Sequence, residues 1–232
     1  ADTNQIRSTG RLPVNNPYRI DEYGLEAYTQ QLDYLPNPRK GIKVRADVSI
    51  GQRTLLRNNE IDAVLFNDGN GNFISIYDTL QQRSNLRGNL LIDFTAFVPI
   101  RKRTTIKQYV GVRGLISPNI LFNELYNFGG YQTLRGFDEN DIFASKYLLY
   151  TTELRYLIGK NSNVGVFFNV AAVENTIEST NLIYDVPFGF GLSANIDVGN
   201  GILNLAYALG KQQNNPIQLS AAKFHFGLIN YF

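Results

Sequence analysis

The sequence predicts an all-β protein, an antiparallel up-and-down transmembrane β-barrel of about eight strands with a long loop folded into its interior. Apolar and polar residues alternate with a period of two in segment after segment, which is typical of strands with one apolar face. Long and short connections alternate between these segments. No segment approaches the roughly 18 consecutive apolar residues of a membrane-spanning helix. Aromatic residues make up 12% of the 232-residue chain.

Composition excludes several kinds of chemistry. The net charge of +2 gives no indication of a nucleic-acid partner. Cysteine is absent, which excludes disulfides, thiolate metal sites and cysteine nucleophiles. Methionine is also absent, including at position 1, so we expect the chain to be a mature product or a fragment from which any signal peptide has been removed.

Residues 1–40 are predicted to be an appendage to a barrel formed by residues 41–232. The stretch LPVNNPYR contains the proline and asparagine residues of an irregular segment. In EYGLEAYTQQLDY, the helix-forming residues favour a short helix. The alternation of Tyr23, Leu25, Ala27 and Thr29 favours an extra strand instead. Both alternatives stay open at this point.

The period-two pattern becomes clear at Gly41, where apolar Ile42, Val44 and Ala46 alternate with charged Lys43 and Arg45. The opposite face is too charged to be buried against a second apolar layer. Similar alternation predicts eight strands, most of them near the ~9–11 residues that cross a membrane when tilted. They cover residues 41–51, 89–98, 106–116, 148–158, 163–172, 188–197, 203–209 and 223–232.

The connections after the first predicted strand alternate between longer and shorter ones. The longer ones are 54–86, 117–144, 174–185 and 211–220, and the shorter ones are 101–105, 159–162 and 199–201. Outer-membrane barrels alternate short periplasmic turns with long external loops in this way. Because lipid cannot pair backbone groups, we expect the strands at 41–51 and 223–232 to join, or each to pair with another chain, as in a homodimer. An eight-stranded barrel is filled by side chains, so no open pore is expected.

The connection from Leu121 to Ala144 is rich in large apolar residues, among them Phe128, Leu134 and Phe137. A loop exposed only to water has little reason to carry them. Gly129, Gly130 and Gly136 mark positions where a side chain would obstruct the backbone. We therefore expect this loop to fold back into the barrel and pack there.

The segment GGYQTLRGFDE resembles the conserved loop motif of the BamA/TamA-type outer-membrane assembly barrels (the bacterial surface antigen superfamily), whose core is Arg-Gly-Phe or Arg-Gly-Tyr. Further similarity lies in LFNELYNFGG, in ELRY at Glu153–Tyr156, in YALGKQ at Tyr207–Gln212 and in the terminal KFHFGLINYF. The resemblance runs from Arg39 to Phe232 and is closest to the final half of such barrels from Bacteroidetes-like bacteria, in a short form without periplasmic domains. It implies an outer-membrane protein that acts in protein assembly or insertion without cofactor or catalysis.

The resemblance and the strand phase together suggest how the loop is held. Arg135, inside the barrel, would need a carboxylate, because an unpaired buried arginine costs several kcal/mol. Glu153 faces inward by phase and lies in the strand directly after the loop. The family pattern has a further acid in the next strand, where this sequence has the uncharged Asn169. We thus expect a loop-lock motif of Arg135, Gly136, Phe137, Glu153 and Asn169, with a structural role favoured over one in handling substrate.

Other candidate sites are weak. His225 is the only histidine, and the sequence has no nucleophile-elbow motif, so we expect no catalytic residue. The segment Asn67–Asn72 resembles a calcium loop in composition but lacks the spaced acids and the terminal Glu, so we expect a loop tip and no metal site. Gly227 and Phe232 fit the C-terminal signal by which outer-membrane barrels are recognised for insertion. We therefore expect the outer-membrane assembly machinery to insert this protein itself, as one of its clients.

The resemblance implies a lateral seam, between the strands at 41–51 and 223–232, where a β-barrel client strand pairs with the sheet edge. Two alternatives remain open. One is a structural or anchoring barrel without insertase activity. The other is a membrane-anchored binding partner that uses its external 54–86 loop. The neutral Asn169 and a filled interior favour both alternatives over an insertase.

Overall fold

The computed structural model describes residues 3, 6–7, 12, 16–67, 71–81, 85–118, 120–177, 181–212 and 217–230. Its elements in chain order are β1 (Tyr18–Leu32), β2 (Gly41–Leu55), α1 (Asn59–Asp62), β3 (Leu65–Asn67), β4 (Phe73–Ser75), α2 (Ile76–Gln81), β5 (Leu86–Arg101), β6 (Thr104–Ile116), β7 (Tyr126–Phe128), β8 (Ile142–Ala144), β9 (Lys146–Leu157), β10 (Asn163–Ile177), β11 (Asn181–Asp185), β12 (Phe188–Asp197), β13 (Gly201–Lys211) and β14 (Lys223–Asn230). Single 3-10 turns lie at Phe122–Glu124 and Leu219–Ala221. None of the described helices is long and apolar enough to cross a membrane.

One large sheet dominates the fold, with the strand order β1-β2-β5-β6-β9-β10-β12-β13-β14. Every neighbouring pair along this path is antiparallel. The short β11 pairs with the end of β10 beyond β12. Pro187 lies between β11 and β12 and has no N–H for the ladder, but its carbonyl still accepts a hydrogen bond from the Ala171 N–H at 2.9 Å. The predicted all-β, up-and-down architecture is confirmed.

The eight strands predicted in residues 41–232 are all present, but the path of the sheet contains nine, more than the expected number of about eight. The extra strand is β1, which pairs with β2 from Tyr18↔Leu55 to Leu32↔Gly41. The strand alternative for this part of residues 1–40 is therefore the one the structure adopts. The outward phase of Tyr23 and Leu25 matches that of their β2 partners Ile50 and Val48.

The expected joining of residues 41–51 to residues 223–232 is also wrong. β2 lies between β1 and β5, so it has no free edge. Within the described residues the sheet is open, with β1 and β14 as its edges. Because nine antiparallel strands run from one edge to the other, β1 and β14 point in the same direction and would form a parallel pair if joined. Phe232 lies outside the described residues.

The two faces of the sheet differ in polarity. The outer face carries large exposed apolar side chains, such as Tyr23 at 84% exposure and Phe226 at 77%. The inner face carries buried polar groups, such as Glu153 at 2% and Asn169 at 0%. Apolar residues outside and polar residues inside are typical of a barrel surrounded by lipid. In the described chain, short turns at 33–40, 102–103, 158–162 and 198–200 lie at one end of the sheet, and the longer connections lie at the other.

The long connection between β2 and β5 forms a packed cap at the end of the sheet with the longer connections. α1, α2 and the β3–β4 hairpin enclose a small apolar cluster, made by Ile6, Leu55, Ile61, Val64, Ile76, Tyr77 and Leu121. The buried Tyr77 hydroxyl donates to Asn16 Oδ1 at 2.8 Å. The segment Asn67–Asn72 is the tip of the hairpin, and its residues 68–70 lie outside the described residues. In the part of the chain that the structure describes, no group of three or more His, Cys, Asp or Glu side chains is arranged to hold a metal ion.

Candidate functional site

The connection between β6 and β9, described at residues 117–118 and 120–145, lies on the inner face of the sheet, and we call it the inner loop. Its two arms pair as the β7–β8 hairpin, from Tyr126↔Ala144 to Phe128↔Ile142. Its apolar side chains join those of β9 and β10 in one buried cluster, made by Phe128, Leu134, Phe137, Ile142, Ala144, Tyr147, Leu149, Ala171 and Val173. Burial of these side chains is what draws the loop inward.

The backbone of the Arg-Gly-Phe segment touches the backbone of β12 and β13. A Cβ on Gly189 would come within 1.8 Å of the Arg135 carbonyl oxygen, and one on Gly210 would come within 2.4 Å of the Gly136 carbonyl oxygen. Gly136 itself has a φ of +100°, a conformation that side chains rarely permit. Glycine is required on both sides of this contact, because any side chain would separate the loop from the sheet.

Arg135 is buried against β9 and β10. Its Nη2 donates to Glu153 Oε2 at 3.4 Å, and its guanidinium lies 3.5 Å from the centroid of the Phe167 ring, a cation–π contact. Glu153 also accepts a hydrogen bond from Ser193 Oγ at 2.7 Å and lies 3.4 Å from Arg155 Nε. One carboxylate therefore serves two arginines.

Two further side chains of the sheet hold the loop backbone. Asn169 Nδ2 donates to the carbonyl oxygen of Thr133 at 3.4 Å, so its bond goes to the loop backbone rather than to Arg135. His225 Nε2 accepts from the Gly136 N–H at 3.3 Å. His225 lies on β14, the edge strand, so this bond connects the inner loop to the edge of the sheet. Gly227 lies one inward position further along β14 and makes no close approach that a Cβ would obstruct.

A second charged contact lies at the start of the inner loop, and sequence reasoning missed it. Glu124 is 1% exposed in its side chain and pairs with Arg53 of β2 and with Arg87 of β5, whose Nη1 is 3.0 Å away. Its Oε2 also accepts from the Leu121 N–H at 2.8 Å. The sequence did contain a signal for Arg53. Asp47, Ser49 and Gly51 occupy the inward positions of their strand, and this alternation continues to Arg53, beyond the predicted end of the strand.

Together these contacts hold a loop in place against the polar face of an antiparallel sheet. The class they define is a barrel-type antiparallel β-domain with an inward Arg-Gly-Phe loop. Among protein-family models, the Omp85 superfamily domain matches residues 22–232. The chain therefore belongs to the Omp85 superfamily, the superfamily of the BamA/TamA-type barrels, and the matched region includes most of β1. No curated protein matches the chain.

Proposed function

We propose that the protein acts in the bacterial outer membrane in the assembly or insertion of other β-barrel proteins. Membership of the Omp85 superfamily supports the class of function. The observation that carries the proposal is the path of the inner loop, which reaches from β9 to the edge strand β14. His225 and Lys223 of β14 contact Gly136 and Asp138 of the loop, the latter pair at 2.7 Å.

The edge of the sheet supplies the means of acting on a client. β14 has a strand partner on one side only among the described residues. In the hydrocarbon region an unpaired row of N–H and C=O groups is costly, so a strand that pairs with it is stabilised. An extended client segment would gain backbone hydrogen bonds there by β-augmentation. The loop contacts fix the position of β14 and so prepare this edge for pairing.

A second candidate function is an anchoring barrel that presents an external binding surface and has no insertase activity. The packed cap between β2 and β5 favours it, because a connection with its own apolar cluster has a fixed shape. Leu65 and Phe73 on the β3–β4 hairpin are exposed at 56% and 69%. Exposed apolar side chains on a rigid cap are suited to binding another protein.

A folding assay in liposomes separates the two functions. A urea-unfolded β-barrel client is added to liposomes that contain the protein, an unrelated barrel or no protein, and its folding is followed by heat-modifiable gel mobility. We expect the protein to accelerate client folding several-fold over both controls. Arg135→Ala should reduce the acceleration, whereas Arg101→Ala, at an exposed strand end, should leave it unchanged. Equal rates in all liposomes would contradict the insertase proposal and favour the anchoring barrel.

A further inference from the structure

Two partly open cavities meet beneath the inner loop. One, of about 750 Å³, lies between the loop tip and the inner face of β1, β2, β5, β6 and β9. The other, of about 440 Å³, extends to the 33–40 turn. Lys43, Thr95, Lys107, Tyr131 and Arg155 line both cavities and define their junction.

The larger cavity has an excess of positive charge. Six cationic and three acidic side chains line it. The acids already have partners on neighbouring strands or on the loop: Glu26 pairs with Arg45 at 2.8 Å, Asp93 pairs with Arg113 at 2.9 Å, and Glu153 lies 3.4 Å from both Arg135 and Arg155. Lys43 and Arg45 of this lining are exposed to solvent, and Lys107 is partly buried. A cleft lined by one sign of charge concentrates ions of the opposite sign.

The two lysines of the junction account for most of this excess. Neither Lys43 nor Lys107 forms a hydrogen bond or an ion pair within 4.0 Å with another side chain in the described part of the chain. Lys43 Nζ lies 5.9 Å from the centroid of the Tyr28 ring. Lys107 stands opposite Glu153 in the β6–β9 register, but the two arginines occupy that carboxylate.

Arg135 and Arg155 also have N–H donors that these contacts do not use. A guanidinium has five N–H donors, and the hydrogen bond to Glu153 accounts for one of those on Arg135. The side chains of Arg135 and Arg155 are only 7% and 11% exposed, so bulk water reaches little of them. Two lysines and two arginines with unused donors thus face a space large enough for a small anion.

We propose that the junction binds an oxyanion of the phosphate class, held by Lys43, Lys107 and Arg155 with Arg135 above it. Arginine and lysine together suit a phosphate group, because the guanidinium donates in a planar fork and the ammonium acts as a compact charge. The Thr95 hydroxyl adds an uncharged donor. Free phosphate and the phosphate of a lipid headgroup share this chemistry. The site shares Arg135 with the loop contacts described above, but the inference of anion binding does not depend on the proposed assembly function.

Titration calorimetry on the protein folded in a phosphorus-free detergent tests this proposal with two probes, inorganic phosphate and a short-chain phosphatidylglycerol. We expect saturable binding of at least one probe. Lys107→Met and Lys43→Met should each weaken it by about tenfold, the effect of losing one charge-assisted hydrogen bond of roughly 1.4 kcal/mol. Lys102→Met, which removes the same charge from the exposed β5–β6 turn, should leave affinity within about twofold.

The outcomes are distinct. Binding of phosphate alone assigns the site to a free ion, and binding of the lipid alone assigns it to a headgroup. Heat-modifiable gel mobility shows that each variant has folded, and neither lysine substitution removes an ion pair within the described chain. No saturable binding of either probe to the wild-type protein would overturn the proposal. So would equal affinity in all three variants.

Discussion

The inner loop is held to the sheet at two anchors of opposite charge arrangement. At the first, an acid of the loop, Glu124, meets two arginines of the sheet, Arg53 and Arg87. At the second, an arginine of the loop, Arg135, meets one acid of the sheet, Glu153. Both pairs are buried, yet their surroundings differ.

The first anchor depends on charge, and the second depends on charge and backbone contact together. Both oxygens of Glu124 are hydrogen-bonded, and one of them also accepts a backbone N–H of the loop. Arg135 makes a long hydrogen bond to a shared carboxylate and stacks on Phe167. Beside it the loop backbone rests directly on Gly189 and Gly210. The Arg-Gly-Phe motif thus depends on close backbone packing as much as on its ion pair.

The largest effect is expected from Glu124→Ala. It leaves Arg53 and Arg87 buried without this carboxylate, and breaking a buried ion pair from one side costs about 3–5 kcal/mol. Chemical denaturation in micelles, followed by circular dichroism, measures the loss. Asp141→Ala, in the same loop but exposed, is the matched control and should be nearly neutral. A Glu124→Ala protein as stable as that control would show that the first anchor carries no energy.

Gly189→Ala tests the contact at the second anchor without changing any charge. Its Cβ cannot fit beside the Arg135 carbonyl oxygen, so we expect the loop to move away, with a loss of about 1–3 kcal/mol. Limited proteolysis with mass spectrometry should show faster cleavage at 131–137. Gly88→Ala is the control, because its Cβ would meet the Ser49 carbonyl oxygen at an ordinary 3.5 Å. Equal cleavage in both variants would mean that the backbone contact is dispensable.

Arg135→Ala should cost somewhat less than Glu124→Ala, about 1–3 kcal/mol, and should raise protease access to the loop while the strands stay assembled. Glu153→Gln should have a weaker effect, since it keeps the shape and loses the charge. In a double-mutant cycle the two changes should be non-additive by at least about 0.5 kcal/mol, because either one alone removes the pair. Full additivity would show that the pair does not hold the loop.

The smallest effect is expected from His225→Ala, which removes one hydrogen bond of 3.3 Å between β14 and the loop. The expected loss of stability is about 0.5–1.5 kcal/mol. Its more specific consequence should be at the edge of the sheet, where hydrogen exchange of β14 should rise more than that of β9. A rise confined to β9 would contradict the link between the loop and the edge strand.

The sequence predicted the features that follow from the alternation of inward-facing and outward-facing residues along a strand. The alternation on β9 showed that Glu153 faces inward, and its place directly after the loop made it the expected partner of Arg135. Strand β1 stayed undecided because helix-forming Glu26, Ala27 and Gln30 share the segment with the alternating residues. Pairing with the edge of β2 decides it, and that is a tertiary effect.

The other features that the sequence did not predict were missed for physical reasons as well. The first anchor was missed because Glu124 lies in a loop without periodicity, and because Arg53 lies beyond the predicted end of its strand. The partner of Asn169 is a backbone carbonyl, that of Thr133. Every residue has such a group, so the sequence contains no signal for it. The number of strands determines which strands form the two edges and whether those edge strands run parallel or antiparallel. The expected joining of residues 41–51 to residues 223–232 was wrong because it left out strand β1.

Hydrogen exchange measured by mass spectrometry on the protein in a lipid bilayer tests most directly whether both anchors hold the inner loop. In the wild-type protein, amides of 126–137 should be protected nearly as well as those of β9 and β10. In the Glu124→Ala/Arg135→Ala double variant, this segment should exchange at least about tenfold faster while the two strands keep their protection. A wild-type segment that exchanges as fast as the exposed residues 158–160 of the β9–β10 turn, or a double variant with unchanged protection, would show that the two anchors do not hold the inner loop.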